Sequence, residues 1–176
     1  MSSSDESLML RYAETGDSSC FEEIFRRYAE RLHAFFVRTG PPEHAADLVQ
    51  ITLMHVHRAR RDFRADGRFR PWVYAIAANA RRELLRGRAR RPEAAFDLDR
   101  HPEPAVGPAT STAADRLVRR ALATLPEPQR EVVVLHWFQD LPFAEIAELL
   151  GASESAVKVR AHRAYQALAA QLTEDR

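Results

Sequence analysis

The sequence predicts an all-α protein of two small helical domains joined by a flexible, acidic, proline-rich linker, and three observations carry that expectation. Apolar residues recur at steps of three and four along most of the chain, the spacing of a helix face. From residue 92 to residue 114 that period disappears, and the stretch holds four of the ten prolines, the acids Glu93, Asp97, Asp99 and Glu103, and a Gly-Pro-Ala-Thr-Ser-Thr run. The chain of 176 residues, 45% hydrophobic, is long enough for two such domains with cores of their own.

In chain order, Ser7 to Thr15 is a short helix candidate closed by Gly16. Ser19 and Glu22 have the spacing of a capping box, and Phe21, Ile24, Phe25, Tyr28, Leu32, Phe35 and Phe36 then define one apolar side of a long helix that ends near Thr39-Gly40. The Pro41-Pro42 break separates it from a helix over residues 43–62, with an inward stripe of Ala45, Leu48, Val49, Thr52, Val56 and Ala59. Asp47, Gln50, Ile51, Met54, Arg58 and Arg61 share its outer side. Ile51 and Met54 stand there among polar residues, either as ordinary exposed apolar side chains or as the anchor of a protein interface.

The stretch from Arg58 to Arg91 holds twelve arginines against Asp62, Asp66 and Glu83, a local balance of +9 in a chain whose total is +1. Such segregation of charge is the footprint of a phosphate-neutralising surface, although a charge run is often only a solvated face. Pro71 lies in the first turn of a helix whose stripe is Val73, Ile76, Ala77, Ala80 and Leu84. Trp72, Asn79, Arg82 and Arg86 share another face, preceded by the loop Arg64-Ala65-Asp66-Gly67-Arg68-Phe69. An aromatic, an amide and guanidinium groups side by side suit single-stranded nucleic acid, whose unpaired bases offer faces to stack on and edges to bond. Composition alone favours a core place for Trp72.

Beyond the linker, Asp115 is placed to cap a helix carrying Leu117, Val118, Ala121, Leu122 and Leu125. Pro128 to Gln139 follows with Val132, Val133, Leu135, Trp137 and Phe138. A short helix, Phe143 to Leu150, then meets Gly151 as its terminator and Ser153 as the cap of the last helix, which is the layout of a helix-turn-helix. The last helix buries Val157, Ala161, Ala164, Leu168 and Leu172. It presents Ser155, Lys158, Val159, His162, Arg163 and Gln166, the set that would meet base edges and phosphates in a major groove.

Other classes fit less well. No run of about 18 apolar residues is available to cross a bilayer, and the N-terminus is polar and acidic where a signal peptide is basic and then apolar, so a cytoplasmic protein without membrane insertion is expected. Cys20 is the one cysteine, which excludes an internal disulfide and a cysteine-based zinc cluster. His55 and His57, or Glu22 and Glu23, lack the i, i+4 spacing that converges on one metal or substrate, and no Gly-rich phosphate loop exists. Neither enzyme activity nor a cofactor is expected.

The segments FEEIFRRYAERLHAFF, DLVQITLMHVHRA, FRADGRFRPWVYAIAANARRELLRGRARR and LPEPQREVVVLHWFQDLPFAEIAELLGASESAVKVRAHRAYQAL, in that order and spacing, resemble the bacterial sigma factors of the extracytoplasmic-function (ECF) group. The resemblance implies a transcription initiation factor. Residues 1–91 would be region 2, which binds core RNA polymerase and opens the −10 element; residues 92–114 the linker; and residues 115–176 region 4, which reads the −35 element as duplex. It places Asp47, Leu48, Val49 and Gln50, with Ile51 and Met54 beside them, at the polymerase. It places Arg64, Asp66, Gly67, Arg68, Phe69, Trp72, Asn79, Arg82 and Arg86 at the single-stranded −10 element, with Asn79 holding a flipped base while Phe69 or Arg68 closes over it. Ser155, Lys158, Val159, Arg160, His162 and Arg163 fall at the −35 element, Arg160 on phosphate or in packing. Ile51 stands where the family usually has an acid. An anti-sigma protein is the family's usual further partner. The alternative is a helix-turn-helix regulator that binds DNA without polymerase, which would leave the first domain idle.

Overall fold

The computed structural model describes residues 3–90 and 112–174, with side chains described through residues 87 and 171 respectively; most of the expected linker lies outside them. Contacts divide the chain into two compact units, residues 1–33 with 43–107, and residues 34–42 with 108–176. All regular structure among the described residues is helical.

The first unit contains α1 (Asp5–Thr15), most of α2 (Ser18–Thr39), α3 (Ala45–Arg58) and α4 (Phe69–Arg90), with short 3-10 turns at Pro42–His44 and Arg60–Asp62. Helix α1 starts two residues before the expected Ser7, because the Ser4 hydroxyl accepts the Ser7 N–H at 3.1 Å and Asp5 and Glu6 suit the positive end of the helix. Gly16 closes it in the left-handed region, φ 70°, a conformation that costs glycine little. The cap of α2 is Asp17 rather than Ser19. Its Oδ1 accepts both the N–H and the hydroxyl of Ser19, at 3.0 and 2.6 Å, so the expected Ser19–Glu22 box is replaced by an acceptor two residues earlier.

Ile24, Tyr28, Leu32, Phe35 and Phe36 of α2 are fully buried, whereas Phe25 is exposed: it sits about 100° round the helix from Ile24, off the stripe. Ala45, Leu48, Val49, Thr52, Leu53 and Val56 of α3 are buried, and α3 packs along α4 through Val73, Tyr74, Ala77, Ala78 and Ala80. Each large apolar side chain buried in this way contributes about 1.5–3 kcal/mol. Arg81, unforeseen among them, is also fully buried.

The second unit contains α5 (Ala113–Ala123), α6 (Glu127–Trp137), α7 (Phe143–Leu150) and α8 (Glu154–Glu174). Helix α5 begins inside the expected linker. Thr112 is its cap, and Asp115 forms the reciprocal half of a capping box instead of the cap itself. Leu117, 60% exposed, and Val118 face outward rather than into the core as their spacing suggested; Leu122 and Leu125 are the buried pair. On α6, Val132, Val133, Val134 and Leu135 are buried, whereas Trp137 and Phe138 are exposed. The turn into α7 is held by Asp140 at φ 54°, a value aspartate tolerates better than most residues, and by a 2.8 Å hydrogen bond between His136 Nδ1 and the Leu141 carbonyl.

Candidate nucleic-acid interface

The outer side of α3 carries Gln50 and Met54 exposed, with Asp47 and Ile51 half-buried. Leu48 and Val49 are core residues, at 0% and 3% exposure, so the expectation that they meet a partner directly is corrected: they seat α3, and the surface is made by the four residues around them.

The loop before α4 is a tight turn in which the Gly67 N–H donates to the Arg64 carbonyl at 2.9 Å. A Cβ on Gly67 would lie 3.0 Å from that carbonyl oxygen and 3.4 Å from Phe63 Cε2, so the close approach favours glycine and a larger residue would push the turn open by a few tenths of an ångström. Across the turn, Arg64 forks onto Asp66, Nε to Oδ1 at 2.9 Å and Nη2 to Oδ2 at 3.0 Å, with both side chains largely in solvent. The Arg64 guanidinium holds the Asp66 carboxyl below the usual carboxylate range. Arg68 is exposed.

Phe69 is different. It is wholly buried, edge-on to Tyr28 at 5.0 Å and to Phe63 at 5.9 Å, so its ring supports the loop from beneath and does not close over a base, as the sequence had suggested. Trp72 lies half-buried against Phe63, centroids 5.1 Å apart, which combines the core place that composition favoured with one accessible side. Along the same face of α4, Asn79 and Arg86 are exposed and Arg82 is half-buried. Arg82 Nη2 is covered and has no hydrogen-bond partner among the described residues. Arg88, Arg90 and Arg91 complete the charge run in sequence, but their side chains lie outside the described set.

In the second unit, Gly151 ends α7 at φ 62°. Its own N–H bonds the Glu148 carbonyl and the Ala152 N–H bonds the Ala147 carbonyl, a Schellman turn. Ser153 Oγ then accepts the Ala156 N–H at 3.2 Å and starts α8. Val157, Ala161 and Ala164 seat α8 on α6 and α7, so that Ser155, Lys158, Val159, His162, Arg163 and Gln166 are all exposed. Arg160 is half-buried at the border. Lys158 is paired with Glu154 at 2.7 Å, a partner the sequence reading omitted although the i, i+4 spacing advertised it.

Among the described residues no group of three or more His, Cys, Asp or Glu could hold a metal ion, and no helix is long and apolar enough to cross a membrane.

Comparison with known proteins bears on these surfaces. Residues 24–91 match the model of Sigma-70 region 2, and residues 115–168 that of Sigma-70, region 4. Among curated proteins, the chain is 37% identical over 160 residues to the RNA polymerase sigma factor CarQ of Myxococcus xanthus, covering 87% of this chain and 89% of that one. It is 35% identical to the ECF RNA polymerase sigma factor SigF of Caulobacter vibrioides, covering 93% and 91% of the two chains. Among solved structures it resembles CnrH in complex with the cytosolic domain of CnrY, at a TM-score of 0.70 and 28% identity over 98% of this chain and all of that one. It also resembles the sigma factor RpoE of Bartonella quintana in complex with the anti-sigma factor NepR, at a TM-score of 0.68 and 26% identity over 89% and 98%. With sigma region 2 over the basic loop and helix, region 4 over the glycine-turned helix pair, and relatives matched almost end to end, the chain belongs to the ECF RNA polymerase sigma factors.

Proposed function

We propose that this sigma factor binds core RNA polymerase through the α3 side made by Asp47, Gln50, Ile51 and Met54, and recognises its promoter with two separate surfaces. The α8 face of Lys158, Val159, His162 and Arg163 reads the −35 element in the major groove, with Ser155 and Arg160 at its border on phosphate. The Arg64–Arg68 loop, Trp72 and Asn79 take up the unpaired −10 strand, and Arg82 and Arg86 hold its backbone. In this reading residues 1–91 are the polymerase- and −10-binding domain, residues 92–114 the linker and residues 115–176 the −35-binding domain.

The observation that carries the proposal is that one chain presents two chemically different cationic faces. Helix α8 offers extended cationic and imidazole side chains on a regular helix, which can enter a duplex groove. The α4 side offers a tight turn, a half-buried indole and an amide, a set that suits a base already out of its stack. A regulator working without polymerase would need the first surface alone. The factor acts by binding and strand capture in the cytoplasm, with no catalytic group of its own. The RpoE–NepR complex supports an anti-sigma protein as a further partner. In vitro transcription with core polymerase on a promoter library tests the whole reading: enrichment of one −35/−10 pair is expected, and a chain that binds duplex without supporting transcription overturns it.

A further inference from the structure

The first turn of α4 lies directly behind the Arg64–Arg68 loop, and like any helix start it has main-chain N–H groups without intrahelical acceptors. The residue before the helix is Arg68, whose side chain has no acceptor to offer, and the nearest carboxylate in the loop, Asp66, is turned onto Arg64. The acceptor comes from elsewhere. Glu6 Oε1 of α1, 63 residues away in sequence, takes the Phe69 N–H at 3.0 Å. Its negative charge also suits the positive end of α4.

The start of α1, where Glu6 stands, is tied down through the neighbouring Asp5. Its neighbour Asp5 accepts the Tyr28 hydroxyl at 2.5 Å and Arg27 Nη1 at 2.6 Å, and Arg27 also bonds the Ser3 carbonyl at 2.9 Å and Glu23 at 2.7 Å. Tyr28, whose hydroxyl is pushed up by burial first and by Asp5 second, remains a donor to that carboxylate. Its ring meets the ring of Phe69 edge-on. Two neighbouring acids on α1 therefore hold one residue from two directions: Glu6 by its main-chain N–H, and Asp5, through Tyr28, by its ring. The Phe69 ring in turn lies beside that of Trp72, centroids 5.9 Å apart, and Phe69 follows Arg68 in the chain, so its placement bears on both sides of the candidate −10 surface.

We infer that Glu6 is a positioning residue for capture of the −10 strand: its carboxylate, by capping α4 at Phe69, fixes the register of the loop that takes up the unpaired base. The inference rests on the assignment of that loop and Asn79 to the −10 element, and names an element outside the surface, α1, as part of its specificity.

The test uses the assembled holoenzyme and three measurements: affinity for core polymerase, closed-complex affinity on a duplex promoter, and binding of a −10 single-stranded oligonucleotide together with the rate of opening. Glu6→Ala is expected to lower oligonucleotide affinity and the opening rate by about fivefold, the factor a typical helix cap carries. Core and closed-complex affinities should be unchanged. Glu6→Gln keeps a carbonyl acceptor and should recover most of the loss, and the −10 base preference of Glu6→Ala should broaden. Loss of all three measurements in parallel, with a lowered thermal midpoint, would make Glu6 merely structural and overturn the inference. Normal opening by Glu6→Ala, beside a clear defect in Asn79→Ala, would overturn it and leave the −10 assignment standing. Normal opening by both would remove the assignment as well.

Discussion

Helices α4 and α8 both begin at a candidate nucleic-acid face, and they are capped in opposite ways. Helix α8 is started by Ser153, three residues before the N–H it binds, after a glycine turn complete within six residues. Helix α4 is started by a carboxylate that only tertiary structure brings to it. The helix proposed to read duplex is thus specified locally, whereas the loop proposed to accept an extruded base is built from several elements at once. Damage to the first kind of site should stay local; damage to the second should spread.

The sharpest way to break that contrast is in the aromatic cluster under the loop. Phe69→Ala should cost about 3–5 kcal/mol, the usual range for emptying a buried phenylalanine site. Calorimetry on the intact chain should show the loss. The milder Phe69→Leu distinguishes support from stacking: a lowered thermal midpoint with near-normal oligonucleotide binding per folded molecule is expected, and an unchanged midpoint with lost binding would return the ring to the interface.

Next in size is the base contact itself. Asn79→Ala should remove roughly 1–3 kcal/mol of −10 strand binding, read as reduced permanganate reactivity of −10 thymines, while core binding is retained. On α8, His162→Ala should shift the preferred −35 sequence, at about 1–3 kcal/mol for the base concerned, whereas half-buried Arg160→Ala should weaken all sites alike. Selection from a randomised −35 library separates the two. Ser153→Ala should be smaller still, about 1 kcal/mol of stability, with −35 affinity reduced and base preference kept. A changed preference would mean that the cap of α8 shapes readout as that of α4 is inferred to do.

The smallest effect expected is electrostatic. Hydrogen bonds from Arg26 first and Arg27 second hold the Glu23 carboxyl down to about 2, from an ordinary 4.5. A depressed carboxylate stabilises the fold fully above its unfolded value, so the contribution should be present at neutral pH and fade as pH falls from 4.5 towards 2. Thermal midpoints of the parent and Glu23→Gln should differ slightly at pH 7 and converge at the acid end.

What could be read from sequence follows the same division. The α7–turn–α8 unit was legible because its cues, Gly151 and Ser153, act on residues beside them. The cap of α2 was misplaced because Asp17 and Ser19 are both good caps, and only the hydrogen bonds decide between them. Periodicity grouped Leu117 with Leu122 but could not say whether another element would cover both. Periodicity already set Leu48 and Val49 on the inward stripe, and burial agrees with it over the motif resemblance, since successive helix residues point about 100° apart and four in a row cannot all face one partner. The resemblance set Phe69 at the interface together with the loop it closes; its core partner, Tyr28, lies on another helix. Glu6 left no signal at all, because nothing local distinguishes an acid that caps its own helix from one that caps another.

The exposed indole of α6 has a use of its own. The chain has two tryptophans, and they fall one in each unit: Trp72 half-buried against Phe63, and Trp137, 64% exposed, donating its ring N–H to the Tyr165 hydroxyl at 2.7 Å. Their fluorescence should therefore separate by colour, bluer from the sheltered ring and redder from the wet one. Under the proposed −10 assignment the first is expected to be quenched when a base arrives at the α4 face, and the second to respond to any partner that covers α6. The native protein thus carries two built-in optical probes, by which events in its two units can be followed in one cuvette without a label.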